Sequence, residues 1–279
     1  MLKRQTFLNK DLVLKVSPNY DPKRFDPNKY EAFLDTLCGD REYQKEAILE
    51  TVRYFLGGEY QNLSELAEEN YRNNPKLQEK YSSLEEFRGV LQLPDKLSCS
   101  LDHATATGKS YVMYGIARIM LAEGAVDQVL VLCPSNTIEA GLTEKFRSLS
   151  ADRTLKDLLP ADSKIANPRI INASNTIQKG DICIENIHAT YINTKSAIED
   201  SLTGKGERTL VLNDEAHHLM SPSDTALKKW KEFLLDQKYG FKFIVNVSGT
   251  CYIGDEYFTD VIHRFSLRDA IEAKFVKSI

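Results

Sequence analysis

From about residue 97 onward, short unbroken apolar runs alternate with amphipathic stretches. The runs are Val129-Leu-Val-Leu-Cys133, Arg169-Ile-Ile-Asn172, Ile182-Cys-Ile-Glu-Asn-Ile187, Thr209-Leu-Val-Leu-Asn213 and Phe243-Ile-Val-Asn-Val247. Apolar runs without polar alternation predict strands buried on both faces of a parallel sheet. Before them, Leu97, Cys99 and Leu101 alternate with polar neighbours and predict one more strand. Helical periodicity fills several intervals: Tyr111–Ala122, Ile138–Leu149, Thr194–Leu202 and Thr225–Leu235. Strands alternating with helices predict an α/β fold, a mostly parallel central sheet flanked by helices with right-handed crossovers. Ligands of such sheets gather at the carboxyl ends of the strands.

The N-terminal part reads differently. Asp11–Val16 is a strand candidate, followed by turn-rich segments around Pro18, Pro22 and Pro27. Tyr30–Leu37 begins a helix that Gly39 stops, and Arg41–Phe55 is a second helix. Ala47, Ile48, Val52 and Phe55 share one stripe of it, which leaves Gln44 at the leading end. A terminal carboxamide offers the carbonyl and amide pair that binds the N6 and N7 edge of adenine, or is simply a solvated helix residue. Residues 57–95 are charged, tyrosine-rich and helical in tendency, with Ser83 and Glu86 at capping-box spacing. Residues 1–95 thus read as a mixed extension with a helical insertion, and 96–279 as the α/β domain.

Candidate chemistry clusters at the predicted strand ends. Ala104-Thr105-Ala106-Thr107-Gly108-Lys109-Ser110 is a loop of small residues that opens the Tyr111–Ala122 helix. Its backbone N–H groups and the helix dipole form an anion cradle. Lys109 would reach the outer phosphates of a nucleotide and the Ser110 hydroxyl would ligate Mg²⁺. His103 stands where the general pattern has glycine, and Ala106 where glycine is common. The strand 209–213 runs into Asp214-Glu215-Ala-His217. Asp214 would hold Mg²⁺, Glu215 would orient or deprotonate an attacking water, and His217 would link the nucleotide site to its neighbours. Ser248-Gly249-Thr250 ends a further strand and could bridge to the Asp-Glu loop. Pro134-Ser135-Asn136 opens another helix, with Asn136 and Glu139 at capping-box spacing. Its free N–H groups could take a nucleic-acid phosphate, with Lys145 and Arg147 nearby or merely solvated.

Composition narrows the setting. With 279 residues, 42% of them hydrophobic, the chain can bury a full core, and a net charge of −4 excludes a strongly basic tail. The five cysteines lack paired metal-ligand spacing and read as buried thiols of a reducing compartment. No apolar run approaches the roughly 20 residues that span a bilayer, so the expectation is a soluble, cytoplasmic protein.

Taken together, Gln44, Ala104–Ser110, Pro134, Asp214–His217 and Ser248–Thr250 resemble the Q motif and motifs I, Ia, II and III of superfamily-2 helicases, in family order. The segments around Tyr20–Tyr30, Arg41–Ile48 and Tyr257–Val276 resemble more narrowly the restriction subunit of type III restriction enzymes. The resemblance implies a RecA-like P-loop NTPase domain, the first of two motor domains, that couples hydrolysis of ATP with Mg²⁺ to movement on duplex DNA in a prokaryotic cytoplasm. It also implies a separate modification (methyltransferase) subunit as partner. Nothing after Thr250 resembles the second motor domain or a nuclease domain, so a longer protein is expected. Without the second domain's arginines the segment would bind ATP and turn it over slowly, since such arginines contribute about 10³ to 10⁵ in rate. A nucleotide-dependent switch or assembly module, and an RNA helicase domain, stay open as alternatives.

Overall fold

The computed structural model describes residues 7–190, 197–218 and 225–276. Seven strands form one wholly parallel sheet: β1 (Leu97–His103), β2 (Gln128–Cys133), β3 (Arg169–Ile171), β4 (Asp181–Asn186), β5 (Thr209–Asp214), β6 (Phe243–Ser248) and, beyond a two-stranded hairpin, β9 (Val261–Phe265). The hairpin is β7 (Tyr252–Ile253) with β8 (Glu256–Tyr257), antiparallel. The sheet order is β3-β4-β2-β5-β6-β1-β9. Every strand predicted from an apolar run is present, and the parallel expectation holds. The strands β2, β5 and β6 are buried along their whole length, as continuous apolar runs require, and so is β1.

Helices α1 (Glu31–Cys38) and α2 (Glu42–Leu56) precede the sheet, and α3 (Leu63–Asn73), α4 (Pro75–Lys80) and α5 (Leu84–Gly89) make up the predicted helical insertion. After β1 come α6 (Lys109–Ala122), α7 (Asn136–Ala151), α8 (Arg153–Asp157), α9 (Ile198–Leu202), α10 (Thr225–Leu235) and α11 (Leu267–Glu272). The predicted helix 194–202 is seen from Ile198, and residues 194–196 lie outside the described residues. One apolar cluster runs from Leu12 through the sheet to Ile262. Helix α2 packs on α6, β1 and β9, so its leading end is fixed beside the end of β1. Gly115 makes that packing close: a Cβ there would stand 2.5 Å from the Ile48 Cδ1.

Several local expectations change. Asp11–Val16 forms no strand. Asn9–Asp11 is a 3₁₀ turn, and the extended residues after it give one backbone bond, from Leu14 N–H to Val261 O at 2.7 Å. The partial alternation in β1 predicted one polar face, yet Ser98 and Ser100 are buried. Their hydroxyls are satisfied internally, by Leu93 O at 3.2 Å and the Asp260 carboxylate at 2.7 Å. Ser83 does cap α5, but Glu86 turns to the N–H and hydroxyl of Ser82 rather than closing a box. The Ser266–Asp269 box at α11 is complete.

Gly115→Val is expected to lower stability by about 2 kcal/mol, because overpacking outweighs any gain in helix propensity. Urea unfolding followed by circular dichroism measures this, and an unchanged midpoint would show that the α2–α6 contact yields freely.

Candidate active site

All seven strands of a parallel sheet end on one edge, and that edge collects the predicted chemistry. The 104–110 loop leaves β1 and enters α6, whose first residue is Lys109. Ala106 (φ 66°) and Gly108 (φ 80°) both take left-handed backbone. The turn is therefore made at 106 and 108, and His103 remains the extended last residue of β1, which explains why glycine is dispensable there. An alanine tolerates such a conformation at a cost of about 1 kcal/mol. Within the loop, Thr107 closes on Ala104 through its N–H (3.3 Å) and hydroxyl (2.6 Å) to one carbonyl. In the first turn of α6 the Tyr111 N–H bonds to Gly108 O at 2.9 Å, while the N–H groups of Lys109 and Ser110 have no acceptor within the helix.

Across the edge, β5 delivers Asp214, Glu215 and His217. Lys109 Nζ makes an ion pair with the Glu215 carboxylate, although 106 residues separate them. Glu215 stands at φ 52°, a left-handed conformation for a residue with a long side chain. Its other oxygen lies 3.5 Å from His217 Nδ1, which is 2.9 Å from Ser248 Oγ. Ser248 Oγ also accepts from Thr250 N–H at 3.1 Å. Gly249 abuts the loop: a Cβ there would stand 3.2 Å from His103 O and from Thr105 N. The ends of β1, β5 and β6 are thus joined side chain to side chain. A groove of about 820 Å³ adjoins this junction, touching Ala104, Thr105, Gly249 and Thr250.

Asp214 is buried, and among the described residues its Oδ1 has no hydrogen-bond partner. Burial pushes its carboxyl up to about 6, against the lowering effect of the Lys109 charge. An unpartnered buried carboxylate oxygen, on the same sheet edge as the loop that carries the Ser110 hydroxyl, suits a hard divalent cation such as Mg²⁺. His217 is turned to Ser248 and Glu215 instead.

Helix α2 presents Gln44 differently from expectation. Its carboxamide is buried, and with no nucleotide present its Nε2 donates to Thr107 O at 2.7 Å. Tyr43, which no sequence signal singled out, donates to the same carbonyl at 2.7 Å. A second unpredicted pair sits at the root of the loop, where His103 Nε2 and His263 Nδ1 are 2.8 Å apart. Trp230 of α10 donates to Asn213 Oδ1 at 3.0 Å and so braces the strand that carries Asp214.

The helix α7 also departs from its predicted cap. Ser135, following Pro134, is the N-cap and accepts from Ile138 N–H at 3.4 Å. Asn136 and Glu139 are inside the helix, and both accept from Asn186 Nδ2, at 2.8 and 2.9 Å. Burial, with Glu139 close by, holds the Glu185 carboxyl above the usual range. Lys145 packs over the Tyr111 ring at 5.1 Å. An acidic group thus flanks the helix end where a nucleic-acid phosphate was expected.

Residues 38–253 match the family model of the type III restriction enzyme, res subunit. The chain belongs to that family. It is accordingly a helicase-type motor domain, and the loop and Asp-Glu segment both lie within the matched span. Among solved structures it is similar to the UvsW helicase from bacteriophage T4, at 14% identity over 60% of this chain and 51% of that one, TM-score 0.36. A second T4 UvsW structure matches at 15% identity over 57% and 28%, TM-score 0.35. Dbp5 of S. cerevisiae bound to RNA and ADP BeF3 matches at 15% identity over 67% and 44%, TM-score 0.33. The chain spans about half or less of the length of these helicases. No individual curated protein matches it.

The raised Asp214 carboxyl means that its charged form is disfavoured by folding. Stability in metal-free buffer is therefore lost as pH rises from about 4 to about 6, and stays lost above that. Asp214→Asn is expected to raise stability at pH 7 by at most about 3 kcal/mol and to change little below pH 4. Thermal unfolding across that range, with a chelator present, measures this. Equal melting shifts at every pH would contradict it.

Proposed function

We propose that this chain is the ATP-binding first motor domain of a superfamily-2 DNA translocase, the restriction subunit of a type III restriction-modification system. Such a motor couples ATP hydrolysis to movement on duplex DNA. One observation carries the reading: Lys109 at the head of α6 pairs with Glu215 while the unpartnered Asp214 oxygen lies beside them. Cation, metal-type carboxylate and a candidate base meet on one edge, which is what hydrolysis of a triphosphate requires.

The residues divide the work. The N–H groups of 104–110 cradle the phosphates and Lys109 takes the outermost charge. When Lys109 turns to a phosphate, Glu215 is released to orient or deprotonate the attacking water. Ser110 and Asp214 would hold Mg²⁺, which when bound would supply neutralising charge to the phosphate oxygens. His217 and Ser248 carry the change at Glu215 to the end of β6, and Gly249 carries it back to the loop. Partners follow from the family: duplex DNA, a modification subunit, and a second motor domain and nuclease domain in the longer protein. Its five buried free thiols suit the prokaryotic cytoplasm. Pro134, Ser135 and Asn136 at the head of α7 are the candidate contact to nucleic acid, set against the acidic group beside them.

Lys109→Ala is expected to weaken binding of Mg²⁺–ATP roughly 10- to 100-fold, the effect of losing a charged hydrogen bond. Calorimetric titration of the chain reads it directly, and ATP binding equal to that of the parent would refute the reading. Duplex DNA, rather than RNA, is expected to stimulate ATPase activity of the longer protein.

A further inference from the structure

The ends of β1 and β9 carry different chemistry on their two faces. His103, His263 and Phe265 stand on the face toward α2, where the histidines pair and Phe265 stacks on Tyr43. Alternation puts Asp102 and Arg264 on the opposite face. The parallel register sets these two directly beside each other. Arg264 Nε lies 2.9 Å from Asp102 Oδ2, and Tyr257 Oη donates to that same oxygen at 2.7 Å. Asp102 is buried, so the guanidinium is held from behind, through Nε, by a carboxylate that is itself fixed. Among the described residues the two amino groups of Arg264 make no hydrogen bond.

Arg264 lines the groove of about 820 Å³ that adjoins the 104–110 loop. Lys10 and Arg268 line it as well, both are exposed, and neither has an ion pair among the described residues. The carboxylates of the groove are engaged elsewhere. Asp102 is held by Tyr257 and Arg264, and Asp269 accepts from the Ser266 N–H and hydroxyl at 2.7 and 2.6 Å. Leu8 and Leu267 expose apolar surface on the same lining, and low-dielectric walls of this kind strengthen the field of nearby charges. A guanidinium fork braced by a carboxylate, with two further cations, fits a tetrahedral oxyanion.

We propose that Arg264, Lys10 and Arg268 form a second oxyanion site, one that takes inorganic phosphate. The site's position suggests its use. Its groove shares Ala104 and Thr105 with the loop, and Gly249 and Thr250 with the end of β6. Hydrolysis transfers the terminal phosphoryl group of ATP to water and leaves ADP, phosphate and a proton. The groove gives that phosphate a cationic seat next to the loop and outside it. This role, though not the binding itself, rests on the proposed hydrolysis.

Phosphorus NMR of inorganic phosphate, titrated with the 279-residue chain, reads the site directly. The parent is expected to bind with a Kd of about 1 mM. Lys109→Ala removes the cation of the loop and is expected to bind phosphate within about twofold of the parent. In that background, Arg264→Lys keeps a charge facing Asp102 but removes the fork, and is expected to weaken phosphate about fivefold. Arg268→Ala, at an exposed position where folding is not at stake, is expected to weaken it about threefold. Phosphate binding that vanishes in Lys109→Ala would overturn the proposal, because the anion then sits in the loop. So would equal binding by the Lys109→Ala chain with and without Arg264→Lys and Arg268→Ala. Displacement of phosphate by duplex DNA would also overturn it, since the groove would then hold a nucleic-acid backbone. Failure of the phosphate-loop reading looks different: Lys109→Ala then binds Mg²⁺–ATP as the parent does, which ends the link to hydrolysis while phosphate binding still answers to Arg264.

Discussion

A lysine ammonium placed at the positive end of a helix needs an anion. Lys109 is the first residue of α6, nearly buried, with the first-turn N–H groups of the helix around it. In the chain alone that anion is Glu215, brought from the next but one strand of the sheet. The need explains an otherwise costly feature, since Glu215 adopts left-handed backbone to turn its carboxylate toward Lys109. The same pair ties the end of β5, across β6, to the loop that follows β1. A triphosphate would supply the missing charge and free Glu215 for another task. On the proposed function the ion pair would be a placeholder for the substrate, which the loops on either side would hold.

The surrounding protein is built to keep this edge still. Asn213 and Trp230 brace β5 just before Asp214, and Asn213 also donates to Asn246 of β6 at 2.9 Å. Tyr43 and Gln44 grip the loop from α2, while Gly249 allows β6 to approach it closely. Few of these contacts touch the positions where reacting atoms would lie. Their effect is to fix donors before a ligand arrives, which avoids the cost of organising them afterwards. Asp214 is the exception: a buried carboxylate oxygen without a partner among the described residues lowers stability, a cost that a bound cation would relieve.

What the sequence made legible was whatever is written locally. Apolar runs announced β2 to β6, and small residues before Gly108-Lys109-Ser110 announced the loop. Asp-Glu after an apolar strand announced the carboxylates, because chemistry at a strand end leaves a local mark. Features that depend on register were not legible. The strand β9 carries His263 and Arg264 among its five residues, so its pattern is that of a loop; it becomes a strand by pairing with β1, some 160 residues away. Gln44 has the composition of a base reader, and only the approach of α2 to Thr107 commits its amide elsewhere. The spacing of Asn136 and Glu139 suggested a capping box, yet Asn186 of β4 claims both side chains and Ser135 takes the cap. In each case a tertiary partner outweighed a local preference.

The claim beneath all of this is that Ser110 and Asp214 serve one cation beside one triphosphate. Anomalous diffraction from crystals grown with Mn²⁺ and a non-hydrolysable ATP analogue tests it most directly. A single manganese peak bounded by the Ser110 hydroxyl, the Asp214 carboxylate and the analogue's phosphates is the result expected. A nucleotide bound away from the 104–110 loop, or manganese bound without Asp214, would contradict the account.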